Sequence, residues 1–147
     1  MAVVVERTFT IEPGPATVLS YLEDFSNAEE WDPGTVRCTR RDSGPVQVGS
    51  SWDNTSKFAG NTTELLYTLE TRTDEQLVFV GHNERATSTD TISVTPSGAG
   101  SRIHYRAELE LHGVMRFVAP IVKLLFDRVA DRTRDQMQTV LDRLVTR

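Results

Sequence analysis

An α+β fold is expected, in which an antiparallel meander sheet is covered by one long C-terminal helix. Three features of the 147-residue sequence point to it. Between residues 35 and 112, stretches of β-type residues are separated by turn signals each short enough for a hairpin. From Pro120 onward the pattern changes to helical spacing. Val118, Ile121, Val122, Leu125 and Val129 form one apolar stripe, while Lys123, Asp127, Arg128, Asp131 and Arg134 occupy other faces. Apart from a short helical region near the N-terminus, nothing else offers that stripe a partner, so it must lie on a sheet face.

The first strand is predicted over residues 3–11, where Val3, Val5, Arg7, Phe9 and Ile11 alternate with Val4, Glu6, Thr8 and Thr10. Pro13-Gly14-Pro15 ends it and places Pro15 near the first turn of a helix whose buried face is Val18, Tyr21, Leu22 and Phe25. Ser26 and Glu29 have capping-box spacing, which predicts a second short helix ending near Trp31. Asp32-Pro33-Gly34 is turn chemistry, with Asp32 read as an Asx-type turn residue. Six strands are then predicted, over residues 35–41, 47–58, 62–72, 76–83, 86–95 and 101–112. Their punctuation is Ser43-Gly44-Pro45, Ala59-Gly60-Asn61, Thr73-Asp74-Glu75 and the Pro96-to-Gly100 turn.

Alternation assigns the faces. On the last strand Ile103, Tyr105, Ala107, Leu109 and Leu111 face inward, and Arg102, His104, Arg106, Glu108, Glu110 and His112 face out. The same parity turns Ser88, Asp90, Ile92 and Val94 inward, together with Leu65, Tyr67 and Leu69, and groups Trp52, Asn54, Ser56 and Phe58 on one face. Residues 77–80 are apolar on both sides and leave His82 without an orientation. In the tail helix the stripe runs cleanly to Val129, then meets Thr133 and Gln136, and resumes at Met137, Val140, Leu141 and Leu144 on a rotated face. Pro120 predicts a separate lead-in, Val114 to Ala119.

Composition narrows the function classes. With 25% charged residues and 38% hydrophobic ones, the chain reads as globular. A net charge of −5 with scattered Lys and Arg disfavours nucleic acid as a partner. Cys38 is alone, so no intrachain disulfide or cysteine-based zinc site is available, and it reads as a small buried hydrophobe. The three histidines lack ligand spacing; neither a metal nor a cofactor is expected. No signal peptide or membrane span is read, a cytoplasmic protein is expected, and the Asn-x-Thr/Ser triplets at Asn54 and Asn61 are then chance matches. Oligomeric state is not readable.

The element order, one strand, two short helices, six strands and a long helix, is accompanied by several local motifs. They are Phe9-x-Ile11-x-Pro13, Val18-x-x-Tyr21-Leu22-x-Asp24-Phe25, Trp31-Asp32-Pro33, Val48-Gly49-x-x-Trp52 and Gly100-x-x-Ile103-x-Tyr105, followed by the Pro-containing tail helix. Together they resemble the helix-grip fold of the START-like, or SRPBCC, superfamily, and within it the polyketide cyclase/dehydrase group. The similarity covers essentially residues 1–147 as a single domain. The resemblance implies a curved seven-stranded antiparallel sheet around the C-terminal helix, with an internal cavity for a hydrophobic or amphipathic small molecule. Relatives include aromatic polyketide cyclases, lipid and quinone carriers, plant hormone-binding proteins and co-chaperone domains, and fold does not choose among them.

The inward parity and the implied cavity nominate Trp52, Asn54, Phe58, Tyr67, Leu69, Asp90, Ile92, Tyr105 and Ala107 as ligand-binding residues on the sheet, with Phe117, Val118, Ile121 and Leu125 facing them. Asp90, Tyr67 and Tyr105 are the candidates for chemistry. An inward carboxyl among apolar groups would hold its proton to unusually high pH and could act as acid, base or anchor; a one-residue bulge would instead turn it to solvent. Arg7 is either a pocket cation or a strand-end surface residue, and the surface reading is preferred. Three functions remain open: polyketide cyclase/dehydrase-like binding of a small hydrophobic ligand, non-catalytic carriage of a lipid or quinone, and a protein-interaction module.

Overall fold

The computed structural model describes residues 2–58 and 60–146, without the side chains of Val145 and Thr146. Ala59 of the predicted Ala59-Gly60-Asn61 turn lies outside them. The elements are β1 (Ala2–Ile11), α1 (Pro15–Leu22), a 3-10 turn (Phe25–Asn27), α2 (Ala28–Trp31), β2 (Thr35–Arg40), β3 (Ser51–Phe58), β4 (Asn61–Arg72), β5 (Gln76–His82), β6 (Ala86–Ser97) and β7 (Gly100–Leu111). A second 3-10 segment (Gly113–Val118) leads into α3 (Ala119–Asp142), and a third (Arg143–Thr146) follows it. The seven strands form one antiparallel sheet in the order β1-β7-β6-β5-β4-β3-β2. This is the helix-grip arrangement that the resemblance implies.

Two local expectations give way to other contacts. The capping box at Ser26 and Glu29 does not form: Asp24 caps the 3-10 turn by accepting from Ser26 N at 3.1 Å, and Glu29 reaches across to accept from Cys38 N at 2.7 Å. A carboxylate accepting an amide of β2 satisfies a donor that would otherwise be stranded at the sheet edge. Strand β3 starts at Ser51 instead of residue 47, because Gly49 adopts φ +99° and Ser50 N bonds back to Gln47 O in a turn. Register shifts at Thr35/Arg37 and Leu69/Thr71 mark bulges, which bend the sheet around the helices.

The concave face has two zones. At one, α1, the 3-10 turn and α2 fill the space with Val18, Leu22, Phe25 and Trp31, packed on Trp52, Leu69, Leu77, Phe79 and Ile92. Phe25 is the hub, with ring centroids 4.5 Å from Phe79, 4.6 Å from Tyr67 and about 6 Å from both Trp31 and Trp52. Deleting such a ring costs about 3–5 kcal/mol. The other zone faces α3.

Helix α3 presents a different face from the predicted one. Its inward seam is Ala119, Val122, Phe126, Ala130, Thr133, Met137 and Leu141, unbroken from end to end, rather than the stripe through Val118, Ile121 and Leu125. Small residues allow close approach to the sheet, and Thr133 tolerates burial because its hydroxyl donates to Val129 O at 2.9 Å. Ile121 is 63% and Leu124 58% exposed. The helix is also stitched to the free edge of β1. Lys123 Nζ donates to Val4 O at 2.7 Å, Gln138 Nε2 to Thr10 O at 2.9 Å, and Glu12 N to Asp142 Oδ1 at 3.0 Å. Arg7 belongs to this seam, donating through Nε to Asp131 Oδ1 at 2.8 Å and through Nη2 to Asp127 O at 3.1 Å. Covering the edge this way removes a row of unpaired strand groups.

Candidate ligand cavity

The two short helices reach only one end of the concave face, and α3 bridges the remainder without filling it. Between them lies a cavity of about 410 Å³. Val5, Phe58, Leu65, Ala107, Leu109 and Leu111 line it from the sheet side, and Met115, Val122, Phe126, Val129 and Ala130 from the helical side. Its exposed margin carries Lys57, Asn61, Thr62 and Arg85. Apolar walls with a few placed polar groups are the usual make-up of small-molecule sites. A second depression, about 430 Å³, lies on the outside of β2, β3 and β4 among Arg37, Thr39, Asp53 and Glu64, and its lining has no buried titratable group.

The polar groups of the cavity include Asp90, Asp32, Tyr67, Tyr105, Ser88 and Thr133. Strand parity delivers Asp90: it pairs with Phe79 on β5 and Ala107 on β7, so its side chain points inward with theirs, and only 6% of the residue is exposed. No bulge turns it to solvent. Its carboxyl has no hydrogen-bond partner among the described residues, and burial, with a smaller contribution from Asp32, pushes its pKa up to about 8. Asp32 is placed by its turn. One oxygen accepts from Gly34 N at 3.0 Å and the other from the Thr35 hydroxyl at 2.9 Å. Burial raises Asp32 as well, against the lowering effect of those two bonds. Since Asp32 has donors for its charged form and Asp90 has none, Asp32 carries the negative charge first and Asp90 keeps the proton. Both phenols are pushed well above their ordinary value by burial, next by the neighbouring Asp90. Each tyrosine ring also leans on the aromatic core, Tyr67 on Phe25 and Tyr105 edge-on to Trp31 at 6.2 Å.

Of the nominated residues, Phe58, Tyr67, Asp90, Tyr105 and Ala107 border the cavity. Trp52, Leu69 and Ile92 face the same way but are fully buried under α1 and α2, with Trp52 Nε1 donating to Asp24 at 3.1 Å. Asn54 is buried beside Thr35, to whose hydroxyl it donates at 3.3 Å. Phe117, 74% exposed, and Ile121 point to solvent, Val118 is exposed and Leu125 is half-buried; none of the four borders the cavity. The correction follows from the helix phase: the seam passes through Ala119, Ala130 and Thr133, which add no strong apolar signal, and leaves Ile121 and Leu125 off it. His82 is exposed and off the cavity, His104 Nε2 sits 3.0 Å from Glu6, and His112 pairs with Thr87 at 3.2 Å, all on outward positions.

Several cavity residues were not nominated from sequence. The sequence marks Asp32 only as a turn residue, and it is one; the turn also places it on the cavity wall, where its charge is felt by Asp90. Ser88 and Leu65 were assigned inward without being nominated, and their parity was the available signal. Val122 and Val129 belonged to the predicted stripe, but Ala130 and Thr133 carry no periodic apolar signal. Among the described residues no group of three His, Cys, Asp or Glu side chains is placed to hold a metal ion, and no helix is long and apolar enough to cross a membrane.

The family model described as "Polyketide cyclase / dehydrase and lipid transport" matches residues 2–147. No curated protein matches the sequence. Among solved structures, the chain is similar to the Zhui aromatase/cyclase from Streptomyces sp. R1128, with a TM-score of 0.78 at 11% identity over 99% of this chain and 96% of that one. It is also similar to a START superfamily protein from Mycobacterium smegmatis, with a TM-score of 0.76 at 15% identity over 96% and 98% of the two chains. At such identities the likeness is one of fold.

Proposed function

This chain belongs to the polyketide cyclase / dehydrase and lipid transport family, and we propose that it binds one small hydrophobic or amphipathic molecule between the sheet and α3. The observation that carries the reading is the unfilled cavity of about 410 Å³, apolar on most of its wall and furnished with a polar cluster around Asp90. A core that needed no ligand would close such a space, because an empty apolar void forfeits packing energy at roughly 24 cal/mol per Å³. The ligand's apolar body would lie against Ala107, Leu109, Phe126 and Ala130, with its polar end against Asp90, Tyr67 and Tyr105.

A catalytic version of this reading is supported by Asp90. A carboxyl that is protonated at neutral pH and free of internal hydrogen bonds is equipped to give a proton to a bound carbonyl or leaving hydroxyl, with the two phenols as neighbouring donors. Carriage of a lipid or quinone needs only the apolar walls, which make up most of the lining. The open cavity speaks against a purely protein-binding role. The test is native mass spectrometry of gently purified protein, followed by organic extraction. The reading expects a 1:1 complex with one small molecule, or its formation on incubation with a lipid extract; a chain that stays ligand-free in both conditions contradicts it.

A further inference from the structure

Among the described residues, the inner wall of the cavity holds two carboxyls and no cation. Asp90 is about nine-tenths buried, faces the space and has no hydrogen-bond partner among the described residues, and Asp32 faces it from the turn after α2. No ion pair involves either carboxyl among the described residues, whereas a half-buried pair forms elsewhere between Arg72 and Glu23 at 3.1 Å. The phenols of β4 and β7, which feel the Asp90 carboxyl, the Ser88 hydroxyl of its own strand and Thr133 of α3 share the cavity wall with it, and none of them is cationic. Arg7, which shares its register with Tyr105, is turned away to Asp131 and Asp127. The cations that border the cavity, Lys57 and Arg85, are exposed at its margin. Without a cation beside them, Asp90 keeps its proton and Asp32 relies on its hydrogen bonds from Gly34 N and the Thr35 hydroxyl, which leaves an acceptor site for a positive group.

We infer that the molecule held here carries a basic nitrogen on an apolar skeleton, and that its ammonium group sits between Asp90 and Asp32 against the faces of the tyrosine rings. The inference rests on the ligand-binding reading above and adds the ligand's chemical class. An ammonium donates to both carboxylates and is drawn to the electron-rich ring faces. On its arrival the proton held by Asp90 passes to solvent, so the pocket exchanges one positive charge for another. A neutral alcohol of the same shape leaves the Asp32 charge uncompensated.

The experiment is isothermal titration of the full chain near neutral pH with naphthylethylamine and with its uncharged isostere naphthylethanol, in two buffers of different ionisation enthalpy, repeated on Asp90→Asn. The amine is expected to bind at least about tenfold more tightly than the alcohol, with release of close to one proton in wild type. Asp90→Asn should lose that proton release and most of the preference, with a cooperative thermal transition as the control that the variant remains folded. Equal binding of the two compounds, or a preference that survives in Asp90→Asn, overturns the inference and leaves ligand binding standing. Binding of neither compound counts against both.

Discussion

The ring of Tyr67 lies directly on Gly81, its partner across β4 and β5: a methyl group built on Gly81 would stand 2.7 Å from three of the ring atoms. The glycine is what allows the phenol to lie down over the sheet and meet Phe25 at 4.6 Å on one side and the cavity on the other. Gly81→Ala is therefore expected to lever the ring away from Phe25 and to destabilise the fold by about 1–3 kcal/mol. Chemical denaturation checks the stability, and the Tyr67 ring resonances check the displacement; a variant as stable as wild type with unmoved resonances would contradict this placement.

The buried Asp90 carboxyl makes stability depend on pH in a definite direction. Its pKa rises from 3.8 to about 8 on folding, so between these values the folded chain holds a proton that the unfolded chain has lost. Its contribution is complete below the unfolded value and is lost as pH rises through about 8, at up to about 1.4 kcal/mol per pH unit. Asp90→Asn cannot ionise. Its stability relative to wild type should therefore rise between pH 5 and 8, measured by urea denaturation at several pH values, with Asp32 accounting for a residual slope in the variant. Parallel profiles for the two proteins would mean that Asp90 is not buried as described.

Most of the architecture was legible because its signals are local. The alternation from Ile103 to Leu111 and the turn residues between strands define a meander, and parity alone turned Asp90, Tyr67 and Tyr105 inward. The extent of the cavity was not legible, since parity says which side of a sheet a residue faces but not what covers it. Trp52 and Ile92 share a face with Asp90 yet meet α1 and α2 instead of a void. The phase of α3 was misread for a different reason. Ala119, Ala130 and Thr133 are among its buried residues, and small or hydroxylated residues do not stand out against Ile121 and Leu125 in a hydrophobic pattern.

Arg7 ties α3 to the edge strand, with 20% of its side chain exposed and 56% of its partner Asp131. Solvent screening holds the ion pair itself to roughly 0.2–1 kcal/mol. The larger effect of Arg7→Met should be dynamic: faster amide hydrogen exchange in α3 around Asp127 and Asp131, with β3 to β6 unchanged. Unaltered exchange throughout α3 would show that the seam through Lys123 and Gln138 suffices without it.

Cys38 is buried at 2% exposure, and burial pushes its thiol up to about 12. The thiolate is the reactive form, so the native protein should resist a thiol-specific chromogenic reagent at pH 8 and react with one equivalent only after denaturant is added. Rapid labelling of the native chain would place Cys38 at the surface.

The central claim is that the space under α3 is a binding site. Titration with the fluorescent apolar probe N-phenylnaphthylamine tests it most directly, comparing wild type, the cavity-filling Ala107→Trp, and the surface double variant Phe117→Ser with Ile121→Ser. The account predicts saturable binding of one probe per chain, a loss of about tenfold or more in Ala107→Trp with its thermal transition retained, and no change in the double variant. Undiminished binding in a folded Ala107→Trp, with loss in the surface variant instead, would contradict it.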